Sequence, residues 1–548
     1  MIRIFYLNMH MKISTQRFTA IASILFAVAL LVRLIGLATL PSILNPDEAA
    51  IAYTAYLLSE TGMDEWGRTW PITLQSFGDY KLIGYPTIVA FLFKLFGPSE
   101  FLVRLPAAIA GTSLVFLGVR WSKLLKQSSI LQLVTAFLFA CTPIFIFYSR
   151  MAFEATVALS LLITALLLWF RTDIYKRMAL YDVVGIIFFV ASCVTYNTPL
   201  LLLPFICFAI VWWRGLLNWK SWLLLVSLLI TVGFIFFTVL QAATTQKSAI
   251  TIFSDPGQLE LANTFSQRVP SQIASFAKAP VYYVLKILEN ITRSIGLSFL
   301  VIRGGGHPWH ALPLHGHLTL PEYLLALLGL VLSVLILVKA LVKNGVKFIS
   351  EPLALRTFGS KILLIFFTIS GLAPAVVTVD APHATRSLLF LFCLVLLAGI
   401  GFEYMLELVH SRTVWIHRKL HIIPWFVCIA LLLSFVQYIM AYFFWFPNNH
   451  PQQLQTGFNT AVQTVALEFP DEEVAIVDPH GTLYILVSWY LRYSPEYFYA
   501  TIHKQQPTII GFRYGERVGQ FHFIAELSDR TTEAAALYFN GREWIIAP

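Results

Sequence analysis

Residues 18–48, FTAIASILFAVALLVRLIGLATLPSILNPDE, contain the two features that decide the fold and locate a site. Residues 18–40 are almost entirely apolar, and a helix of roughly 20 such residues can cross the hydrocarbon core of a bilayer. A basic segment precedes this run, as in a secretion signal, but the run is long and lacks a convincing small-residue cleavage site. We therefore interpret it as a retained first transmembrane helix, followed directly by the adjacent carboxylates Asp47 and Glu48.

The composition extends this interpretation to the whole chain. Of 548 residues, 58% are hydrophobic and only 12% are charged, about half the charged fraction of a soluble domain. Such a chain cannot cover itself with a water-facing surface, so we predict an α-helical polytopic membrane protein. The apolar runs predict about eleven transmembrane helices, at 18–40, 101–121, 130–148, 152–170, 181–198, 199–213, 222–240, 320–340, 361–379, 385–402 and 422–445.

The net charge of +9 arises from short basic clusters between the apolar runs. These clusters are topology signals and do not indicate nucleic-acid binding. We expect the protein in the plasma (inner) membrane. The positive-inside rule places its amino terminus in the cytoplasm and its carboxyl terminus outside. All five cysteines lie in apolar stretches and are interpreted as small core residues. The clusters are Arg3/Lys12/Arg17, Arg120/Lys123/Lys126, Arg171/Lys176/Arg177, Arg214/Lys220, Lys339/Lys343/Lys347 and Arg412/Arg418/Lys419.

The same topology predicts three external segments. In the first, residues 41–100, the short apolar run 82–96 is interpreted as a helix in the outer membrane interface, because a crossing there would invert the charge bias. The second, residues 241–319, contains an expected interfacial helix near 281–300 and is interpreted as a lid. From residue 446 onward the composition becomes soluble. We therefore predict a transmembrane domain over 1–445 and a small external α/β domain over 446–548.

Asn45-Pro46-Asp47-Glu48 is the strongest local signal. Asn45 suits a helix N-cap, Pro46 the first helical position and Glu48 a capping box. A purely structural role therefore explains Glu48 well and leaves Asp47 with only a helix-dipole role. A catalytic role for Asp47 is compatible with this structural role of the segment, because a helix cap can hold the Asp47 carboxylate rigidly toward a cavity.

Further ionisable residues gather at the predicted outer ends of helices. In Asp79-Tyr80-Lys81 the lysine either meets a lipid phosphate or snorkels to the interface. Arg33 and Arg104 lie inside apolar runs, where an ionisable residue indicates function. The alternative is a snorkelling anchor for Arg104 and a buried ion pair for Arg33. The outer turns contain Arg150 with Glu154, and Asp380 with His383 and Arg386. Arg150 and Glu154 either close the turn as an ion pair or bind an anion.

The lid segment carries His307, His310, His315 and His317. Their spacing matches no zinc motif well and no cysteine assists them, so we expect His307 and His310 to face a sugar rather than a metal. Nucleotide-binding loops, nucleophile elbows and HExxH motifs are absent from the sequence. We therefore predict no metal site and no required cofactor, although a divalent cation is compatible with the acidic residues.

In this order the motifs resemble the protein O-mannosyltransferase and lipid A aminoarabinose transferase superfamily, membrane glycosyltransferases of the GT-C type. The resemblance covers residues 33–154, and the later Pro382-His383 with Arg386 is similar to the family's late external turn. In one departure Leu82-Ile83-Gly84 follow Lys81, where the family often has two prolines. The matching motifs are Asp47-Glu48, Phe77-Gly78-Asp79-Tyr80-Lys81, FLVRLP at 101–106, and Tyr148-Ser149-Arg150 with Glu154.

The resemblance implies a GT-C fold and an inverting enzyme that uses a polyprenyl-phosphate sugar. Asp47 would be the general base, Glu48 would support it, and Lys81 would contact the donor phosphate. Arg150 and Arg386 would complete the anion site, with Asp79, Tyr80, Arg104, Glu154 and His383 nearby. The acceptor would be a glycan, lipid or protein of the cell envelope. Two alternatives stay open: a transporter or flippase of a lipid-linked glycan, and a metal-dependent enzyme similar to oligosaccharyltransferases.

Overall fold

The structure, a computed structural model, is predominantly helical, with a small sheet near the carboxyl terminus. The residues that it describes are 13–77, 79–171, 178–215, 218–237, 250–268, 275–305, 309–344, 352–410, 422–450, 455–508, 513–531 and 533–547.

The helices up to residue 449 form the apolar bundle and its loops. Short π-helical segments at Ser298–Ile302 and Ala441–Trp445 and a 3₁₀ turn at Thr385–Ser387 join some of them. The helices are α1 Thr15–Leu34, α2 Pro46–Thr61, α3 Gly84–Phe96, α4 Glu100–Leu124, α5 Ser129–Cys141, α6 Pro143–Phe147, α7 Glu154–Phe170, α8 Met178–Thr195, α9 Thr198–Leu201, α10 Leu203–Arg214, α11 Trp219–Ile235, α12 Pro256–Arg268, α13 Ser275–Ile295, α14 Leu320–Asn344, α15 Pro352–Ser370, α16 Ala373–Val376, α17 Leu388–His410, α18 Ile423–Met440 and α19 Phe446–Asn449.

The prediction of a polytopic helical membrane protein is confirmed. Within the described ranges, six helical segments are long and apolar enough to cross a membrane, and shorter apolar helices occupy the other five predicted positions. The first helix ends at Leu34 rather than at residue 40, since Gly36 adopts a left-handed φ of 61°. The predicted span 130–148 is two helices, because Pro143 has no N–H for a continuing helix and begins α6 instead.

Helix α17 lies at the centre of the bundle. In its segment Thr385–Val409, 94% of the residues of the apolar window are buried, whereas the corresponding share is 11% in α1 and 22% in α14. Gly329 of α14 and Gly401 of α17 face each other so closely that a Cβ on either would clash with the opposite backbone. Small residues at such a crossing allow two membrane helices to pack backbone to backbone.

The carboxyl-terminal region forms a six-stranded sheet with helices packed against it, which confirms the predicted α/β character. The sheet order is β4-β5-β6-β3-β7-β8, and β3 runs parallel to both β6 and β7. The elements are α20 Phe458–Glu468, β3 Val474–Val477, α21 Leu483–Tyr490, α22 Pro495–Thr501, β4 His503–Lys504, β5 Gly515–Val518, β6 Phe521–Ile524, β7 Ala535–Phe539 and β8 Trp544–Ala547.

This region shares one hydrophobic core with the first loop of the transmembrane part. The rings of Phe93 and Trp489 stack with centroids 5.8 Å apart. Glu65 is buried, and its Oε1 accepts hydrogen bonds from the Tyr484 hydroxyl at 2.5 Å and from Lys504 Nζ at 2.6 Å. The carboxyl-terminal region therefore packs against the segment that contains Asp47 and stabilises it.

We expect Tyr490→Phe to destabilise the packing between these two regions. The Tyr490 hydroxyl accepts the backbone N–H of buried Leu44 at 2.9 Å, and removing it leaves a buried donor unsatisfied at a cost of about 1–3 kcal/mol. Thermal unfolding of the detergent-solubilised protein measures the loss. Tyr497→Phe is the matched control, because Tyr497 is exposed; equal unfolding temperatures for the two variants would contradict the expectation.

Candidate active site

Helix α2 begins with a complete capping box. The Asn45 side chain accepts a hydrogen bond from Glu48 N at 2.9 Å, and Asn45 N donates to Glu48 Oε2 at 3.2 Å. Pro46 occupies the first helical position. Two of the backbone donors at the helix start are thereby satisfied, and the direction in which Asp47 leaves the helix is set.

Glu48 forms a buried ion pair with Arg104 of α4. Arg104 Nε lies 2.9 Å from Glu48 Oε1 and Nη2 lies 3.1 Å from Oε2, while Ala152 N donates to Oε1 at 2.7 Å. The other guanidinium donors bind the carbonyl oxygens of Leu37, Pro41 and Ile43. This network joins α2, α4 and the loop after α1, so Glu48 and Arg104 hold the site together from within the protein.

Asp47 points the other way, toward Lys81. Its carboxylate is 63% exposed and lies 2.5 Å from Lys81 Nζ, whereas the lysine side chain is only 10% exposed. Lys81 lies on a short hairpin, formed by β1 Thr73–Ser76 and β2 Asp79–Leu82, in which it pairs with Leu74. The helix N-terminus also favours a negative charge at Asp47. The accessible carboxylate of Asp47 thus lies next to the largely buried ammonium group of Lys81.

Tyr80 and Asp79 precede Lys81 on β2, and both contact other parts of the fold. The Tyr80 ring packs beside Leu82 in a small apolar cluster with Leu200, Ile235 and Phe236. The backbone of Asp79 pairs with Ser76 across the hairpin. Both residues therefore contribute to placing Lys81.

The late turn before α17 forms a second polar cluster. Arg386 Nη1 binds Asp380 Oδ1, and it also donates to Thr378 Oγ1 at 2.9 Å. His383 Nε2 lies 3.6 Å from Asp380 Oδ2. Burial would raise the pKa of Asp380, but Arg386 and His383 outweigh it and hold this pKa below its ordinary value. The cluster therefore combines a carboxylate with two groups suited to an anion.

His310, in the external segment that the sequence predicts to be a lid, contacts this cluster. The ring centroids of His310 and His383 are 4.6 Å apart, and His310 Nδ1 is 2.9 Å from the Tyr148 hydroxyl. The Tyr196 hydroxyl donates to Thr385 Oγ1 at 2.9 Å. Tyr196 was not predicted, since a single tyrosine after an apolar helix carries no distinguishing sequence signal.

Of the other histidines in this segment, His315 and His317 do not converge on a common point. His315 contacts Gln437, and His317 is buried against Phe299. His307 lies outside the described residues. Within the described ranges, no group of three or more His, Cys, Asp or Glu side chains is arranged to hold a metal ion.

Arg33 and Arg150 are directed at backbone carbonyls. Arg150 donates to the carbonyl oxygens of Val32 at 2.7 Å and Gly36 at 3.3 Å, and its guanidinium lies over the Phe443 ring. Arg33 binds the carbonyl oxygen of Ala29 and the Ser149 hydroxyl. The last carbonyls of a helix lack partners within it, so Arg150 caps α1.

Glu154 lies near both polar clusters. It begins α7 and lies within electrostatic range of Tyr85, which is also influenced by Glu48. It is equally within range of Tyr196, which is influenced by Arg386 and Asp380. The Asp47 and Arg386 clusters therefore lie at the same end of the helix bundle.

No protein-family model and no curated protein matches this chain. Among solved structures it is similar to the archaeal oligosaccharyltransferase AglB from Archaeoglobus fulgidus in complex with an inhibitory peptide and a dolichol-phosphate, with 10% identity and a TM-score of 0.47 over 86% of this chain and 63% of that one. The chain thus spans somewhat less than two thirds of AglB.

A second similar structure is ArnT from Cupriavidus metallidurans bound to undecaprenyl phosphate. The identity is 14% and the TM-score 0.47, over 87% of this chain and 85% of that one. The apo form of the same ArnT aligns with 13% identity and a TM-score of 0.45.

Proposed function

We propose that this protein is an inverting glycosyltransferase that moves a sugar from a polyprenyl-phosphate donor to an acceptor hydroxyl at the external membrane face. The observation that carries the proposal is the Asp47–Lys81 pair, an exposed carboxylate beside a largely buried cation at 2.5 Å. A carboxylate suits proton transfer from a hydroxyl, and a cation suits a phosphate leaving group.

In the proposed reaction, Asp47 accepts the proton of the acceptor hydroxyl while the oxygen of that hydroxyl attacks the anomeric carbon of the sugar. The bond between that carbon and the phosphate oxygen breaks, and its electron pair leaves with the polyprenyl phosphate. Lys81 stabilises the developing negative charge, and Arg386 with His383 forms the second half of the anion site. Attack from the face opposite the phosphate inverts the anomeric centre.

The supporting residues explain why the pair is well placed. The buried Glu48–Arg104 ion pair and the capping box hold the first turn of α2, and the carboxyl-terminal region packs behind it. A catalytic group held by rigid elements loses little conformational freedom on reaching the transition state.

The decisive assay supplies the purified protein with a panel of polyprenyl-phosphate sugars and a membrane lipid extract. We expect release of polyprenyl phosphate together with a glycosylated product, and the same release with EDTA, because Lys81 and Arg386 supply positive charge. Movement of an intact donor across a liposome bilayer without bond cleavage would instead indicate a transporter. Loss of transfer in EDTA, restored by a divalent cation, would indicate the metal-dependent alternative.

Lys81→Gln is expected to weaken donor binding by roughly 10–100-fold, because a charged hydrogen bond contributes about 1.5–3 kcal/mol. Binding of polyprenyl phosphate to the purified variant measures this effect. Lys94→Gln is the control, since Lys94 lies on neighbouring α3 and donates to the Ser59 carbonyl oxygen instead. Equal affinities for the two variants would remove Lys81 from the phosphate site.

A further inference from the structure

The position of the His383 ring is fixed by several contacts in the late turn. Thr385 Oγ1 lies 2.8 Å from His383 Nδ1, and the Ser387 hydroxyl donates to the His383 carbonyl oxygen at 2.9 Å. The His310 ring lies beside the His383 ring, with centroids 4.6 Å apart and an interplanar angle of 60°. The two nitrogens of the His383 imidazole therefore face different partners.

The hydrogen bond between Thr385 and His383 has a direction that the neighbouring tyrosine determines. The Tyr196 hydroxyl donates to Thr385 Oγ1 at 2.9 Å, and Thr385 is buried. A hydroxyl that accepts one hydrogen bond still has its own hydrogen to donate. The acceptor for that hydrogen is His383 Nδ1, 2.8 Å away. Tyr196, Thr385 and His383 thus form a chain in which each hydroxyl donates toward the imidazole.

This chain decides which nitrogen of His383 carries hydrogen. A neutral imidazole whose Nδ1 accepts a hydrogen bond carries its hydrogen on Nε2. His383 Nε2 lies 3.6 Å from Asp380 Oδ2, and Arg386 binds the other oxygen of the same carboxylate. The Nε2–H group and the Arg386 guanidinium are therefore directed at the two oxygens of one carboxylate. Two hydrogen-bond donors in this arrangement also suit two oxygens of a phosphate.

We propose that Tyr196 and Thr385 are positioning residues that hold His383 as the tautomer with hydrogen on Nε2, and that this N–H donates to a phosphate oxygen of the lipid-linked sugar. The opposite tautomer would turn a nitrogen lone pair toward the phosphate and repel it. Tyr196 and Thr385 act through His383 rather than on the substrate. The tautomer follows from contacts within the protein, whereas the identity of the anion rests on the proposed function.

Nitrogen-15 NMR of the purified protein with labelled histidine tests the tautomer. The spectrum is recorded at about pH 8, where an imidazole with the ordinary pKa of about 6.5 is neutral. A ring nitrogen that carries hydrogen resonates far from one that does not, and His383→Gln identifies the His383 signals among the 13 histidines. We expect hydrogen on Nε2. Hydrogen on Nδ1 would overturn the proposal, whether or not the protein transfers sugar.

Variants of the two hydroxyl residues test their positioning role in the same spectrum. Thr385→Ser keeps the hydroxyl and should keep the single tautomer. In Tyr196→Phe, Thr385 Oγ1 is free to accept from Nδ1–H instead, so we expect a second population with hydrogen on Nδ1. Tyr282→Phe is the matched control, because the Tyr282 hydroxyl donates to Gln258 Oε1. An unchanged single tautomer in Tyr196→Phe would remove Tyr196 from this role.

Two substitutions of His383 test whether Nε2 is the nitrogen that binds phosphate. Glutamine places an amide N–H near the position of Nε2, whereas asparagine reaches only the position of Nδ1. We expect His383→Gln to bind polyprenyl phosphate within a few-fold of the wild type. His383→Asn should bind it roughly tenfold or more weakly, because a hydrogen bond to a charged group is lost. Thermal unfolding confirms that both variants are folded.

The outcomes separate this inference from the proposed function. An equal loss of affinity in the two variants, or a larger loss in His383→Gln, would overturn phosphate binding by Nε2. A wild-type protein that shows the expected tautomer but binds no polyprenyl phosphate would overturn the proposed function together with the role of Nε2 in it. The assignment of Tyr196 and Thr385 as the residues that hold the tautomer would then still stand on the NMR result.

Discussion

Replacing Asp47 with asparagine is expected to lower the rate of sugar transfer by roughly 10²–10⁴-fold, the contribution typical of a general base. Asparagine has nearly the same shape, so the first turn of α2 and its cap should persist. The substitution removes the basic oxygen that accepts the acceptor proton. Single-turnover release of polyprenyl phosphate measures the rate without interference from product dissociation.

Donor binding distinguishes this effect from a loss of structure. Lys81 keeps its charge in Asp47→Asn, so the affinity for polyprenyl phosphate should equal or exceed that of the wild type. Glu60→Gln is the matched control, because Glu60 is an exposed carboxylate near the other end of the same helix. Transfer by Asp47→Asn at the wild-type rate would rule out Asp47 as the base.

The second large effect is expected from Arg104→Met, which leaves Glu48 as a buried carboxylate without its cation. Breaking a buried pair from one side costs about 3–5 kcal/mol. The carbonyl oxygens of Leu37, Pro41 and Ile43 lose their donor as well. Denaturation of the detergent-solubilised variant should show this loss together with reduced transfer.

A double substitution separates charge burial from packing. Glu48→Met combined with Arg104→Met removes both charges, so it should recover part of the stability lost in the single variant. Arg120→Met is the control on the same helix, because Arg120 is exposed and its change should lie within about 0.5 kcal/mol. If Arg104→Met unfolds like Arg120→Met, the buried network does not support the site.

The sequence was most informative where a local rule sufficed. The cap at Asn45 depends on residues three positions apart, so the capping box could be predicted and is present in the structure. The same rule assigned Glu48 to the capping box, but it left Asp47 with either a helix-dipole role or a catalytic role. Only the position of Arg104, 56 residues from Glu48, shows that Glu48 faces inward while Asp47 remains exposed.

Arg33, inside the first apolar run, and Arg150, at an outer turn, illustrate a second limit. The sequence indicated either function or a buried ion pair for Arg33, and either an ion pair with Glu154 or an anion site for Arg150. Sequence patterns do not reveal which backbone carbonyl oxygens a distant arginine reaches. In the structure, Arg33 binds the Ala29 carbonyl oxygen within α1, and Arg150 binds the carbonyl oxygens of Val32 and Gly36 at its end. The contact between His310 and His383 was similarly invisible, because it joins segments more than 70 residues apart.

The sequence by itself determined the class of protein, the positions of the apolar helices and the carboxylates at their ends. These features follow from hydrophobic length and from hydrogen bonds between near neighbours in the chain, and both can be read locally. The tertiary structure decided the partners: Lys81 beside Asp47, Arg104 against Glu48, His310 against His383 and the carboxyl-terminal sheet behind α2. Such pairs depend on how helices pack in three dimensions, and side-chain chemistry alone does not specify which distant residues meet.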